Sequence, residues 1–160
     1  MEIDSPPGQE NAYNLHRLEV AEEFHGELDI YGLDARRIGG RLRFWLINYQ
    51  PFVEDSMGEI IDDVKHHTVE IFDLDGASGT LFLVSTISSE FLHSPNHLAV
   101  QPEGTDLSGE TTQEDANLAR CRTETGECHI VASQGFNLVN SVASDHQGNF
   151  YVSGMGWFLS

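Results

Sequence analysis

Alternating apolar and polar residues, short runs bounded by Gly/Asp turns, and the near absence of helix-length amphipathic stretches predict an all-β fold with antiparallel strands. Leu15 to Val20 is the first expected strand. Arg41-Leu42-Arg43-Phe44-Trp45-Leu46-Ile47-Asn48 is the next, and its nearly continuous apolar run predicts burial on both faces, with Phe44 and Trp45 in the core. Met57 to Lys65 has helical spacing at Ile60, Ile61 and Val64 but covers only about two turns. Thr68 to Leu74, the turn Asp75-Gly76-Ala77-Ser78-Gly79 and Thr80 to Ile87 form the clearest hairpin. A short apolar strand follows Asn96 within Ser94 to Val100, and Gln101 to Ala116 is acidic, polar and rich in Gly, Thr and Ser, so it is expected as a surface loop or insert. His129 to Ala132, Ser141 to Ser144 and Asn149 to Ser153 are three more strands, the last two joined by Asp145-His146-Gln147-Gly148. A sandwich, a barrel or propeller blades all satisfy this pattern.

Composition narrows the partners. The chain has 160 residues, 26 acidic against 8 basic, and a formal net charge of -18, which disfavours nucleic acid and anionic membrane surfaces. Hydrophobic residues make up 39%, enough for one modest core, so residues 1–160 are expected to form one domain or part of one. No run reaches the roughly 20 apolar residues of a membrane span. Met1-Glu2-Ile3-Asp4-Ser5-Pro6-Pro7 lacks the basic and apolar regions of a signal peptide, and localisation stays open. Cys121 and Cys128 bracket a turn with Thr125-Gly126 near its tip, a spacing that fits either a cross-hairpin disulfide or two thiols. His66-His67 is expected at the surface rather than as a metal pair, because adjacent strand residues point to opposite faces.

Asn96 and Asn140 each stand at the start of a short apolar strand, where a neutral amide oxygen is a ready ligand for a hard cation such as calcium. Around them lie ordered segments: Tyr31-Gly32-Leu33-Asp34-Ala35-Arg36, Leu46-Ile47-Asn48-Tyr49-Gln50-Pro51, Thr68-Val69-Glu70-Ile71-Phe72, Phe91-Leu92-His93-Ser94-Pro95-Asn96, and Cys128-His129-Ile130-Val131-Ala132 through Phe136-Asn137-Leu138-Val139-Asn140-Ser141. In order and spacing these resemble the paraoxonase/arylesterase family, especially its fungal branch, over most of residues 1–100 and 119–154.

The resemblance implies a partial six-bladed β-propeller of antiparallel blades, calcium in a central tunnel, and hydrolysis of lactones and aryl esters. It implies that Asn96 and Asn140 match two calcium-ligating asparagines, with calcium acting as a Lewis acid on the ester carbonyl. The departures are equally specific. Six blades need about 250 to 300 residues, and this chain supplies about half. The family's calcium site also draws a Glu from the first blade and an Asp-Asn pair from a later one, and neither region is present. Tyr31 and Tyr49 stand at the two positions where the family carries its general-base histidines, and a tyrosine with a reference pKa of about 10 is a poor base at neutral pH. His25-Gly26 offers a second alignment for the first of these histidines. His97 stands where the family often has an Asp supporting a second calcium, and the acidic stretch 101–116 replaces an Asn-Asp-His segment, which implies a loss of inner strands.

The expectation is therefore a partial paraoxonase/arylesterase-like protein, inactive alone, with calcium held weakly or not at all and a small lactone or ester as its potential ligand. The alternative is a non-catalytic β-rich binding or interaction module. Pairing of two copies to complete a propeller is a third possibility, and the oligomeric state is open.

Overall fold

The computed structural model describes residues 2–4, 14–49, 53–54, 60–62, 67–92, 95–111, 117–133, 139–145 and 147–154. Among them every regular element is a β-strand. The first hairpins are local: β1 (Glu2–Asp4) pairs with β2 (Asn14–His16), and β6 (Val53–Glu54) pairs with β7 (Ile60–Asp62). Ile60 and Ile61, whose spacing fits a helix, are thus strand residues, and Leu15 to Val20 is divided between β2 and the two-residue β3 (Glu19–Val20).

A five-stranded sheet carries the largest part of the core. Its order is β3, β9 (Thr80–Ser88), β8 (His67–Asp75), β5 (Arg41–Tyr49), β4 (Ile30–Ile38), all antiparallel except the short parallel β3–β9 pair. Pleating explains the apolar run of β5. Trp45 and Ile47 point into one cluster with Val69, Ile71 and Ile87, while Phe44 and Leu46 enter another with Phe72, Leu74 and Leu81. Burial on both faces is as expected from the sequence.

The second sheet is a four-stranded meander of β10 (Pro95–Val100), β11 (Asp106–Thr111), β12 (Leu118–Arg122) and β13 (Cys128–Ala132). Here the expectation of a loop or insert over residues 101–116 is corrected, because Asp106–Thr111 is a strand paired on both sides. Its single apolar anchor, Leu107, is fully buried, and Asp106 is fixed by the Arg120 guanidinium at 2.9 Å, so two contacts hold an otherwise polar strand. Residues 112–116 lie outside the described residues. Among the described residues this sheet has four strands.

The last sheet is the hairpin of β14 (Val139–Ser144) and β15 (Phe150–Gly154). Leu98, Val100, Leu107, Ala119 and Cys121 of the second sheet join the Trp45 cluster of the first, and Ala99 and Leu118 pack with Val142 of the third. Gly104, at φ +72°, tucks the β10–β11 turn against Ile38 and Trp45, where an added Cβ would lie 2.9 Å and 3.1 Å from their side chains. The five-stranded sheet, the four-stranded meander and the β14–β15 hairpin therefore pack in succession, and β10 packs against both β4 and β14. That succession of antiparallel sheets, with neighbouring first strands, is propeller-like.

Candidate functional site

The starts of β4, β10 and β14 define the candidate site. A Cβ added to Gly32 would lie 2.8 Å from the Asn96 carbonyl oxygen, so β4 and β10 come together near their beginnings. Further along, Asp34 and Arg36 of β4 both meet Val100, the last residue of β10. Ser144, the last residue of β14, donates to the same Val100 carbonyl at 2.6 Å. The three strands therefore run in one direction, side by side, and their starts lie at one end.

At each start the ladder slips. Register breaks fall between Ile30 and Gly32, between Pro95 and Leu98, and between Val139 and Ser141. The residues in these breaks are Tyr31, the pair Asn96-His97, and Asn140. Bulges re-aim side chains and cluster next to binding and catalytic sites. Three of the resemblance-derived positions, Tyr31, Asn96 and Asn140, are thus the second residue of their strand and lie in a bulge at the same end.

Tyr49, on β5, joins them through its ring. Tyr31 and Tyr49 stack with centroids 4.5 Å apart and planes within 5°, and the Tyr49 ring also lies 4.1 Å from that of His67. The Tyr49 hydroxyl donates to the Pro95 carbonyl at 2.9 Å, immediately before Asn96. Sequence reasoning placed His67 on the surface. It is buried at 3% exposure because this aromatic stack covers it; His66 lies outside the described residues. Asn48, fully buried, accepts from the Asp29 N–H at 2.8 Å and donates to the Glu27 carbonyl at 3.0 Å, so it clamps the segment leading into β4. His25 lies exposed in that segment, before the strand begins.

The far end of the same strands holds a network that the sequence did not disclose. Asp34 accepts from the Val100 N–H at 2.8 Å and pairs with Arg36 at 2.9 Å, while Arg36 donates to the Val100 carbonyl at 3.2 and 3.0 Å and to the Ser144 hydroxyl at 3.0 Å. One guanidinium thereby ties three sheets together. The signal was present as Asp34-Ala35-Arg36, an i, i+2 pair on one strand face, but nothing local to it names Val100 or Ser144.

No protein-family model matches this chain, and no curated protein sequence does. Among solved structures, an acylaminoacyl peptidase in complex with Z-Gly-Gly-Phe-chloromethyl ketone aligns with a TM-score of 0.41 and 13% identity, covering 75% of this chain and 16% of that one. The chain therefore spans about a sixth of that protein's length, and similarity at this level carries no weight for function.

Asn96 offers a neutral amide, and the nearest β4 carboxylate, Asp34, is already engaged by Arg36 and the Val100 N–H. Among the described residues no three of His, Cys, Asp and Glu gather as a metal-binding group. Calcium sites use six to eight oxygens, several of them from carboxylates.

Proposed function

We propose that this chain is a partial paraoxonase/arylesterase-like propeller, related to calcium-dependent hydrolases of lactones and aryl esters and inactive as a hydrolase by itself. One observation carries the reading: Tyr31, Asn96 and Asn140 occupy equivalent bulges at the starts of three neighbouring, like-directed strands. A shared axial site needs groups from the same end of successive inner strands. The Tyr31–Tyr49 stack supports the second half of the reading, because the two positions matching the family's base dyad hold rings packed on each other, one of them tied through its hydroxyl to Pro95.

A calcium titration followed by backbone NMR tests the ancestral site. The expected result is a perturbation shared by residues 95–98 and 139–142 that saturates only in the millimolar range or above, as neutral amides without carboxylates dictate. Perturbations scattered over the acidic surface, with none at these strand starts, would overturn it.

A second reading, a non-catalytic binding module, draws on Tyr31 itself. It is 61% exposed while its ring is held by Tyr49, which is how a fixed aromatic platform is presented to a ligand. Ligand binding that Tyr31→Ala abolishes, in a chain without hydrolytic turnover, favours this reading over a relict enzyme.

A further inference from the structure

A separate cleft lies over the β4–β5 and β8–β9 turns. Its volume is about 560 Å³, and its lining includes Arg37, Arg41, Asp73, Asp75, Phe82 and Val84. That volume is within the range of small-molecule sites. From this lining we propose a binding site for a small amphipathic carboxylate, a single anionic head on an aryl or short alkyl body.

The whole chain has only 8 basic residues, yet the β4–β5 hairpin holds Arg36, Arg37, Arg41 and Arg43. Arg43 is spent on Asp73, with Nε at 2.6 Å and Nη2 at 2.9 Å from the two carboxylate oxygens. Asp75 is tied into its own turn, accepting from the Ser78 hydroxyl at 2.7 Å and the Ala77 N–H at 3.1 Å. Arg37 and Arg41 form no ion pair among the described residues, and both are exposed. Arg37 and Arg41 therefore both line one cavity whose carboxylates already have hydrogen-bond partners, and Arg41 lies close enough to Asp75 to favour its charged form. A guanidinium fork matches a carboxylate with two parallel donors.

Phe82 and Val84 are 46% and 47% exposed in the same cleft, large side chains left open to solvent beside the cations. A doubly charged inorganic anion would use the arginines alone and leave these two uncovered. An apolar body attached to the carboxylate covers both. Gly40, at φ +86° with open space around its Cβ position, keeps the rim at the β4–β5 turn free of a side chain. The cleft shares no lining residue with Tyr31, Asn96 or Asn140.

The test is binding of 3-phenylpropionate and of its neutral counterpart 3-phenylpropan-1-ol to the whole chain at pH 7, by ligand-observed NMR. The acid is expected to bind saturably and at least about tenfold more tightly than the alcohol, the size of one charge-assisted hydrogen bond. Arg37→Gln/Arg41→Gln should weaken the acid by at least about tenfold and leave the alcohol unchanged. Phe82→Ser should weaken both ligands, and Asp75→Asn should tighten the acid by releasing Arg41 from the neighbouring carboxylate. All four positions are exposed, so an unchanged melting curve shows that each variant is folded. Equal affinity for acid and alcohol, an unaltered acid affinity in the double arginine variant, or no saturable binding up to about 10 mM would each overturn the site.

Discussion

Tyr49 meets four different parts of the chain. Its N–H donates to the Asp29 carbonyl at 2.9 Å, its hydroxyl to the Pro95 carbonyl, and its ring lies between Tyr31 and His67. Tyr49→Phe keeps the ring stack and removes one hydrogen bond, so it should lower stability by about 1 kcal/mol, read as a shift in the urea midpoint at constant slope. A midpoint equal to that of the unaltered chain would mean that the Pro95 contact is energetically empty. Asp145 makes a second residue-scale case. The Asn149 side chain and N–H, the Gln147 N–H and the Tyr151 hydroxyl all donate to it, at 2.9, 2.9, 2.7 and 3.0 Å, and hold its carboxyl well below the usual range. Reciprocally, the hydrogen bond to Asp145 raises the Tyr151 phenol. A depressed carboxyl gives stability that is present above its unfolded value of about 3.9 and lost as pH falls through the folded one; a raised phenol gives stability present below about 10 and lost as pH rises through its folded value. The β14–β15 turn should therefore loosen first in acid and again in alkali. Asp145→Asn should bring the Tyr151 titration, followed by NMR, back toward an ordinary phenol, and an unmoved titration would contradict the pairing.

At the scale of elements, the hairpin β12–β13 is closed covalently. Cys121 and Cys128 are direct cross-strand partners joined by a disulfide, one of the two states the sequence allowed. With seven residues of sequence separation, the loop-entropy estimate for the bond is about 2.5 kcal/mol. The double variant Cys121→Ala/Cys128→Ala should lose about that much in denaturant melts, and a loss below about 0.5 kcal/mol would show that the hairpin is held by its neighbours instead. Legibility differed between elements for physical reasons. β5, β8 and β9 were readable because burial forces either an apolar run or clean alternation. β4 and β11 were not: the first spends Asp34 and Arg36 on a network between sheets, and the second is held by Leu107 and Asp106 between two neighbouring strands. Their stabilising partners lie far away in sequence, so local pattern carried no trace of them. The bulges at Tyr31, Asn96 and Asn140 were likewise hidden, although the residue types had marked the positions.

For the whole molecule, the packing of three sheets through the Trp45 and Ala99 clusters, and the guanidinium that links β4, β10 and β14, place the strand starts at one end. The function proposed above requires that this end retain the layout of a lactone and ester hydrolase without its working chemistry. The most direct measurement is turnover of a δ-lactone and of phenyl acetate by the purified chain, with calcium and with a chelator. Rates equal to the uncatalysed blank are expected under both conditions. Calcium-dependent turnover well above the blank, abolished by Asn96→Ala, would contradict it.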